Sequence, residues 1–444
     1  MSVDAAVFTR FEAQIKGLKD QAPPVNLSDE ERVERAKRVM LEKLDSRTAM
    51  DLETCVHCGM CAEACHFYES TQDPKYTPIH KAYLLRKVYK RELSPMRFFN
   101  RLFVREITAA QLEQWQELVF NSCTECGRCD MMCPMGINIS KAIGISRAAL
   151  NAAGCAPAEM RAVEEEQSKR GTLFGIGAKE LEAAVAELRS RGLTVPLDKP
   201  KADVMVLTTA MDLVLFKDAF AATARILNKL GVDWTLQRTA FEATNFGMMS
   251  GNRAGQAFES KNIVTAATAC GAKIVITPEC GHAYPALRWE AANALEQPLP
   301  FEVMAISEYI GREILAGRLK VKPIGKQKKV TYHDPCKIGR HGGVFDEPRA
   351  ALAALGVDLR EMESHGKTQY CCGGGGGVFL LDAAEPLRRR TFEIKQRQVD
   401  ETGADSLVTT CDSCRMTFIS GARKVNWPKP IESLVELVAA NLAD

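Results

Sequence analysis

The spacing of apolar residues divides the chain into a helical first part and a second part in which strands and helices alternate. Apolar residues recur at intervals of three and four in residues 79–90 and 109–119. Such intervals place side chains on one side of an α-helix. Residues 159–191 are charged and alanine-rich with the same spacing, until Pro196 and Pro200 interrupt it. We therefore predict that one domain ends near residue 200.

Beyond residue 200, short apolar runs alternate with helical patterns. Runs typical of buried strands lie at 204–207, 273–277, 330–332 and 406–409. Segments with helical spacing lie at 219–230, 254–267, 349–355 and 384–399. Because alternating strands and helices favour parallel sheets, the sequence predicts an α/β fold here.

This second part contains an internal repeat. Residues 270–280, CGAKIVITPEC, align with residues 402–411, TGADSLVTTC, and each copy ends its strand on a cysteine. The second copy holds five cysteines in its pattern: Cys336, Cys371, Cys372, Cys411 and Cys414. The five equivalent places of the first copy hold Asp212 or a neighbour, Asn245, Phe246, Cys280 and Ala283, so four of the five lack a cysteine. We predict a duplicated fold in which only the second copy binds a cofactor.

Composition narrows the class of protein. Hydrophobic residues make up 46% of the 444 residues and charged residues 26%, which is typical of a soluble globular protein. A formal charge of +2 gives no general attraction to nucleic acid or to a membrane surface. The longest uncharged stretch, 368–381, is too short to span a bilayer, and the first thirty residues show no secretory signal. We therefore expect a cytoplasmic protein without a transmembrane segment.

Sixteen cysteines in a reducing compartment indicate metal ligands or redox groups rather than disulfides. Two segments, 55–65 and 123–133, both have the spacing C-x2-C-x2-C-x3-C. Three closely spaced cysteines can wrap one iron–sulfur cube, and in two-cluster ferredoxins the fourth ligates the other cluster. A pair of zinc ribbons would leave this repeated spacing without a role. The predicted ligand sets of the two 4Fe-4S clusters are therefore Cys55, Cys58, Cys61 and Cys133, and Cys123, Cys126, Cys129 and Cys65.

The helical insert between the two motifs resembles the all-α ferredoxins of succinate dehydrogenase and heterodisulfide reductase. His66 follows Cys65 where a proline is usual. The histidine is either a tolerated first residue of a helix or a group that tunes the cluster potential through a hydrogen bond. The sequence leaves both interpretations open.

The five cysteines of the second copy resemble the CCG domain of the heterodisulfide reductase catalytic subunit. That family has a cysteine, a CCG triplet and a C-x2-C pair in this order, and binds a noncubane 4Fe-4S cluster. The resemblance implies that Cys336, Cys371, Cys372, Cys411 and Cys414 are its ligands and catalytic residues. It gives Gly373, Gly374 and Gly375, in the run 373–377, a role in letting the backbone approach the cluster and a bulky sulfur substrate.

The whole chain, from about residue 50, is similar to fused ferredoxin and CCG proteins of the HdrD/DsrK-like family, the catalytic subunits of heterodisulfide reductase and their relatives. This implies three 4Fe-4S clusters, two cubane and one noncubane, and no flavin or nucleic acid. A membrane quinol would deliver electrons through a cytochrome b or quinone-reactive subunit, which would hold the chain at the inner face of the membrane. The substrate would be a disulfide or trisulfide, on a small molecule or a small sulfur-carrier protein. Proton donors or substrate anchors would be His333, Lys337, Arg340 and His341.

A second interpretation stays open. The iron–sulfur subunits of glycolate oxidase and anaerobic glycerol-3-phosphate dehydrogenase have the same domain order. Under this interpretation the chain would be only the electron-transfer subunit of an FAD-dependent dehydrogenase.

Under either interpretation the predicted organisation is a helical extension at 1–45, a two-cluster ferredoxin at 46–155 and a helical linker at 156–200. The degenerate CCG copy follows at 201–322 and the intact copy at 323–444.

Overall fold

The computed structural model describes residues 4–443, and its first part is helical. Before the first cysteine motif lie helices α1 (Ala5–Lys16) and α2 (Asp29–Lys43). Asp4 caps α1 by accepting hydrogen bonds from the backbone N–H groups of Ala6 and Val7, and Ser28 with Glu31 forms a capping box on α2.

Nine helices carry and surround the two cysteine motifs. They are α3 (Ser46–Thr54), α4 (Met60–Glu63), α5 (His66–Thr71), α6 (Pro78–Lys81), α7 (Tyr83–Glu92), α8 (Arg97–Phe103), α9 (Ala109–Gln116), α10 (Arg128–Met132) and α11 (Ile139–Ala152). The predicted helix at 79–90 is divided at Ala82 into α6 and α7, and the one at 109–119 is α9 continued by a π-helical turn, Glu117–Asn121. The prediction of a helical domain is confirmed.

Two further helices, α12 (Ala158–Arg170) and α13 (Ala178–Ser190), lead to the first sheet. Four parallel strands form it in the order β2-β1-β3-β4. The strands are β1 (Val204–Val206), β2 (Trp234–Thr235), β3 (Ile274–Thr277) and β4 (Glu302–Ala305). The associated helices are α14 (Ala210–Val214), α15 (Lys217–Lys229), α16 (Phe246–Ser250), α17 (Arg253–Ala269), α18 (Ala283–Pro285), α19 (Ala291–Leu295) and α20 (Ile306–Leu315).

A second sheet has four parallel strands in the equivalent order, β6-β5-β7-β8. The strands are β5 (Lys329–His333), β6 (Asp358–Leu359), β7 (Ser406–Thr409) and β8 (Ile431–Ser433). The helices are α21 (Asp346–Ala354), α22 (Glu385–Glu401), α23 (Asp412–Lys424) and α24 (Leu434–Ala440). None of the helices within residues 4–443 is long and apolar enough to cross a membrane.

The four strands predicted from apolar runs are β1, β3, β5 and β7, and they are confirmed. These are the two central strands of each sheet. Central strands of a parallel sheet are covered on both faces, so they consist of nearly continuous apolar residues. The strands that the sequence pattern missed, β2, β4, β6 and β8, are the edges, which are two to four residues long.

The two sheets meet through the loops at the carboxyl ends of their central strands. Asp412, which follows β7, donates its backbone N–H to the carbonyl of Glu279 after β3, at 2.6 Å. Arg415 forms a buried ion pair with the Glu279 carboxylate at 3.4 Å. In open α/β sheets ligands bind at this end of the strands, so a site is expected in the loops between the sheets.

Candidate metal centres

The first cysteine group lies close to the protein surface. Cys55 ends α3, Cys61 lies on α4 and Cys133 ends α10. Burial raises the pKa of the Cys61 thiol, and the nearby thiols of Cys55, Cys133 and Cys58 raise it further. The structure therefore brings Cys133 of the second motif together with three cysteines of the first. Of these four, only Cys58 is exposed.

A second cysteine group lines a small cavity deeper in the protein. Its thiols come from Cys65, Cys123, Cys126 and Cys129. Burial raises the pKa of Cys129 well above its usual value, and Asp130, Cys126, Cys123 and Cys65 add to the effect. Cys65 of the first motif thus lies with three cysteines of the second. Ligation of a cluster by either group stays a prediction.

The five cysteines of the CCG pattern converge where the second sheet meets the first. Cys336 follows β5, Cys411 is the residue before α23, Cys414 lies in the first turn of α23, and the Cys371–Cys372 pair precedes the glycine run. The Sγ atoms of Cys336 and Cys371 are 3.9 Å apart. All five are at most 5% exposed.

His333, at the end of β5, lies beside these thiols. One ring nitrogen of His333 and the Sγ atoms of Cys372 and Cys414 lie within 4.8 Å of one another. The ring packs edge-on against Phe418, and neither ring nitrogen has a hydrogen-bond partner among residues 4–443. Burial lowers the pKa of His333 well below its usual value. A buried polar group without a partner requires an explanation, and a bound group at the thiols would supply one.

The other three predicted polar residues differ in their surroundings. Arg340 donates to the backbone carbonyls of Cys126 and Lys367, each at 2.8 Å, and also to that of Gln369, so it clamps the ferredoxin to the CCG loop. Lys337 is buried. His341 is exposed and lies over Gly127, where a Cβ atom would come 2.8 Å from its Nε2 atom.

The glycine run packs against protein on several sides. A Cβ atom at Gly373 would come 2.4 Å from Thr391 Oγ1, and one at Gly374 only 1.9 Å from Thr417 Oγ1. The backbone N–H of Gly376 donates to His282 Nε2 at 2.9 Å. Glycine is therefore needed here because neighbouring side chains leave no room for a Cβ atom. That the backbone of these glycines also approaches a cluster stays a prediction.

The second cysteine group and the CCG thiols are in direct contact. Cys126 packs against the cluster of buried residues that contains Cys371, and the nearby Cys371 thiol, together with burial, raises the pKa of Cys126 well above its usual value. The backbone carbonyl of Cys126 also accepts from Arg340, and Arg128 Nε donates to the carbonyl of Thr368 at 2.7 Å. The three cysteine groups therefore form a series from the surface to the interface of the two sheets.

Sequence reasoning missed three buried cations that surround these thiols. Lys81 Nζ is 3.7 Å from Cys65 Sγ, and Lys395 Nζ is 3.7 Å from Met362 Sδ, close to the CCG thiols. Burial lowers the pKa of Lys395 to about 8, while Cys371 and Cys372 oppose the shift. Arg147 donates to backbone carbonyls of the ferredoxin and of both sheet regions. A single basic residue within a helical pattern is usually exposed, so nothing in the sequence indicated that these three residues are buried.

The buried positive charges show whether the cysteine groups suit the predicted iron–sulfur clusters. A buried cation requires an anionic partner, and thiolates that ligate an iron–sulfur cluster are anionic. Lys81 and Lys395 lie on the second and third cysteine groups, each 1% exposed, whereas Arg147 already pairs with the Glu125 carboxylate at 3.3 Å. Buried positive charge, thirteen grouped thiols and the unbonded His333 ring together define an iron–sulfur protein with three cysteine centres.

Comparisons with known proteins identify the same two parts. Residues 51–137 match the family model described as a 4Fe-4S dicluster domain, and residues 330–419 match the one described as a cysteine-rich domain. A subunit of the Dihydromethanophenazine:CoB--CoM heterodisulfide reductase of Methanosarcina mazei is 30% identical over 88% of this chain and 94% of that protein. The Hdr-like menaquinol oxidoreductase iron-sulfur subunit 2 of Archaeoglobus fulgidus is 28% identical over 86% of this chain and 77% of that protein. The EtfAB:quinone oxidoreductase of Syntrophomonas wolfei is 27% identical over 88% of this chain and 58% of that protein.

This chain belongs to the HdrD-like family of heterodisulfide reductase subunits. It contains a two-cluster 4Fe-4S domain followed by a cysteine-rich CCG domain built on parallel sheets. The resemblance to this family that the sequence indicated is confirmed. As a member of the family, the chain is an iron–sulfur subunit of an oxidoreductase.

Proposed function

We propose that this chain carries electrons through two 4Fe-4S cubanes to a noncubane 4Fe-4S cluster, at which a disulfide or trisulfide is reduced. The observation that carries the proposal is the packing of Cys126 against the cluster formed by the CCG cysteines. It makes the CCG cysteines the inner end of a series that begins at the exposed Cys58. Five thiols at that end exceed the four that a closed cube uses, which suits an opened cluster with a displaceable ligand.

The ligand sets follow the grouping of the thiols. Cys55, Cys58, Cys61 and Cys133 would hold the first cubane, and Cys65, Cys123, Cys126 and Cys129 the second. Cys336, Cys371, Cys372, Cys411 and Cys414 would hold the third cluster. When bound, this cluster would supply electrons to a sulfur–sulfur bond, and each bond cleaved takes two electrons and two protons to give two thiols.

The protein side chains supply charge and protons at this third centre. His333 has both ring nitrogens unpaired within the described chain, and its neutral ring can hold a proton or accept a hydrogen bond from a thiol. Lys395 places a buried cation beside Cys371 and Cys372, which favours the thiolate forms. Lys337 directly follows Cys336 in sequence, and His341 lies five residues after it; both remain candidates for anchoring an anionic substrate. Arg340 has its donors on backbone carbonyls, so its proposed role is to fix the contact between ferredoxin and CCG loops.

The electron source in this proposal is a membrane quinol, delivered through a cytochrome b or quinone-reactive subunit. The name of the Archaeoglobus relative, a menaquinol oxidoreductase subunit, supports this source. The chain would then be cytoplasmic and held at the inner face of the membrane. The substrate would be a disulfide-bearing small molecule or a small sulfur-carrier protein.

The residue ranges and the duplication are also proposals. The identical strand order of the two sheets supports a degenerate first copy at 201–322 and an intact second copy at 323–444. The first copy would hold no cluster, because Cys280 is the only cysteine at its equivalent places. The extension at 1–45, the ferredoxin at 46–155 and the helical linker at 156–200 complete the arrangement.

A second candidate function is that of an electron-transfer subunit that serves a flavin dehydrogenase and passes electrons to quinone. The similarity to an EtfAB:quinone oxidoreductase favours it, because that name describes quinone chemistry without a disulfide. In this case the third cluster is part of the electron path and no substrate thiol binds to it.

One experiment separates the two functions. Anaerobically purified protein is oxidised with and without candidate thiols, including a cysteine-bearing sulfur-carrier protein, and its EPR spectrum is recorded. Disulfide reduction predicts a paramagnetic signal that requires the thiol. If protein with its full iron content gives no response to any small or protein-borne thiol, the electron-transfer function is adopted instead.

A second experiment tests the crossed ligand sets. Cys65→Ser should damage the cluster of the second motif, and Cys133→Ser the cluster of the first. EPR spectra and iron content of the two variants distinguish the clusters. Loss confined to the cluster of the mutated motif would show that the ligands do not cross.

A further inference from the structure

Helix α8 exposes its apolar side chains and turns the polar side chain of Asn100 inward. Phe98, Phe99, Leu102 and Phe103 are 72%, 62%, 77% and 81% exposed, and no side chain of this helix is buried within the described chain. Asn100, in contrast, donates to the Lys90 carbonyl at 3.0 Å and to Ser94 Oγ at 2.9 Å. This is the reverse of the pattern of a helix on a water-exposed surface, where the apolar face is covered.

The protein holds this helix in place. Arg91 donates to the carbonyl of Val104 at 2.8 Å, and Arg101 pairs with Glu92 at 2.8 Å. Both contacts join α8 to the end of α7. The exposed apolar surface is therefore presented on a braced hairpin of two helices, and Met96 at its turn is 58% exposed as well.

The hairpin that carries the apolar tip is rich in basic residues. Residues 86–105 contain one acidic residue and seven basic ones: Arg86, Lys87, Lys90, Arg91, Arg97, Arg101 and Arg105. The nearly neutral total charge of the chain conceals this local concentration. A short amphipathic helix with bulky apolar residues and a basic rim suits the surface of an anionic bilayer, where the apolar side chains enter the headgroup region and the cations meet lipid phosphates.

We propose that the α7–α8 hairpin is a membrane anchor that inserts Phe98, Phe99, Leu102 and Phe103 into an anionic phospholipid surface. The helix is about 10 Å long, so it enters the interface and does not span the bilayer. The four apolar side chains occupy adjacent positions around the helix, which a fluid lipid surface accommodates more readily than a single groove of a protein partner. This anchor does not depend on which reaction the CCG site performs.

The anchor also orients the electron path. Arg86 on α7 contacts His57, which lies between the ligand candidates Cys55 and Cys58. Six residues separate Arg86 from the end of α7, about 9 Å along a helix. Insertion of the tip therefore holds the exposed edge of the first cysteine group close to the membrane surface, where an electron source within the bilayer would reach it.

Vesicle binding by the anaerobic holoprotein tests the proposal. We expect binding to vesicles of phosphatidylglycerol and phosphatidylcholine to be at least tenfold stronger than to phosphatidylcholine alone, and to weaken with salt. The variant F98S/F99S/L102S/F103S should lose at least tenfold in affinity for the mixed vesicles. The matched control F258S/L315S removes exposed apolar side chains from another face and should bind like wild type.

Two further variants identify the mode of binding. Arg97→Gln with Arg105→Gln should reduce binding to the mixed vesicles by about 25-fold, since each basic residue near an anionic surface contributes about fivefold. Phe99→Trp should show fluorescence quenching by brominated lipid. Absence of wild-type binding, equal binding to both vesicle types, or an unchanged affinity of the quadruple variant would each overturn the anchor, and the surface would then belong to a protein partner.

Discussion

The two sheet regions share a strand order and differ in the loops after their central strands. In the second region, Cys336 follows β5 and Cys411 follows β7; in the first, Asp212 lies on α14 after β1, and Cys280 lies in the loop after β3. Apolar residues of the central strands therefore specify the sheet in both, while the residues at and after the carboxyl ends of those strands specify the chemistry.

The region without the ligand set still contributes to the site. His282 accepts a hydrogen bond from the glycine run, and a Cβ atom at Gly281 would come 3.1 Å from Cys411 Sγ. Cys280 and His282 thus lie against the CCG loops. The first region forms one wall around thiols that the second region provides, which explains why its loops are as buried as those with the ligands.

The largest expected difference between the regions is in metal content. Cys411→Ser should lower the iron content from about twelve to about eight atoms per chain, because one of three 4Fe-4S clusters is lost. It should also abolish disulfide reduction while dye-driven reduction of the two cubanes survives. Iron and sulfide analysis with EPR measures both effects.

Cys280→Ser is the matched control for this prediction, since Cys280 ends the equivalent strand of the first region and is also buried. It should retain about twelve irons. An equal loss of iron in the two variants, or about sixteen irons in the wild type, would mean that the first region binds a cluster too.

The next largest effect concerns the residue that joins the regions. Arg147 is fully buried and donates to Met249 of the first region and Gly376 of the second, each at 2.8 Å, and to Val119 of the ferredoxin at 2.7 Å. Arg147→Met leaves these carbonyls unpaired, so we expect a loss of about 3–5 kcal/mol in the free energy of unfolding. Urea denaturation of the anaerobic holoprotein measures it.

The exposed Arg225 on α15 provides the control for Arg147. Arg225→Met should change the unfolding free energy by less than about 0.5 kcal/mol. Arg147→Lys keeps the charge but not the fork of donors, and should recover only part of the stability. If Arg147→Met unfolds at the wild-type urea concentration, the two regions do not depend on this residue for their arrangement.

The sequence predicted the repeated and periodic features well and the long-range contacts poorly. The central strands are local apolar runs, and the cysteine groups are local spacings, so both could be read directly. Lys395 and Arg147 became important only because folding buries them beside thiols and carbonyls that are distant in sequence. Arg340 was predicted to contact substrate, and nothing near it in sequence indicated that carbonyls of two domains would occupy its donors.

Substitutions with a smaller expected effect on stability test how the glycine run packs against the second sheet region. Gly374→Ala would bring a Cβ atom 1.9 Å from Thr417 Oγ1, whereas at Gly375 the nearest atom is 3.6 Å away. We expect Gly374→Ala to cost about 1–3 kcal/mol and Gly375→Ala to be tolerated. Adding Thr417→Ala should restore part of the lost stability. Equal urea midpoints for the two alanine variants would contradict this packing.

The smallest effect is a pH dependence that arises in the first region. That region buries acids: burial raises the pKa of Glu259 to about 8, and Glu242 adds to the shift. Because the folded pKa is above the unfolded value of 4.5, the native state binds more protons between these values. The contribution of Glu259 to stability is therefore full below pH 4.5 and is lost as the pH rises toward 8.

Glu259→Gln should flatten this fall by up to about 1.4 kcal/mol per pH unit, the limit for one proton. Urea midpoints of the anaerobic holoprotein at pH 6, 7 and 8 provide the measurement. Glu363→Gln, at an exposed position of the second region, is the matched control and should keep the wild-type slope. A wild-type stability that rises over this range would show that Glu259 is ionised in the folded protein, and would remove this difference between the two regions.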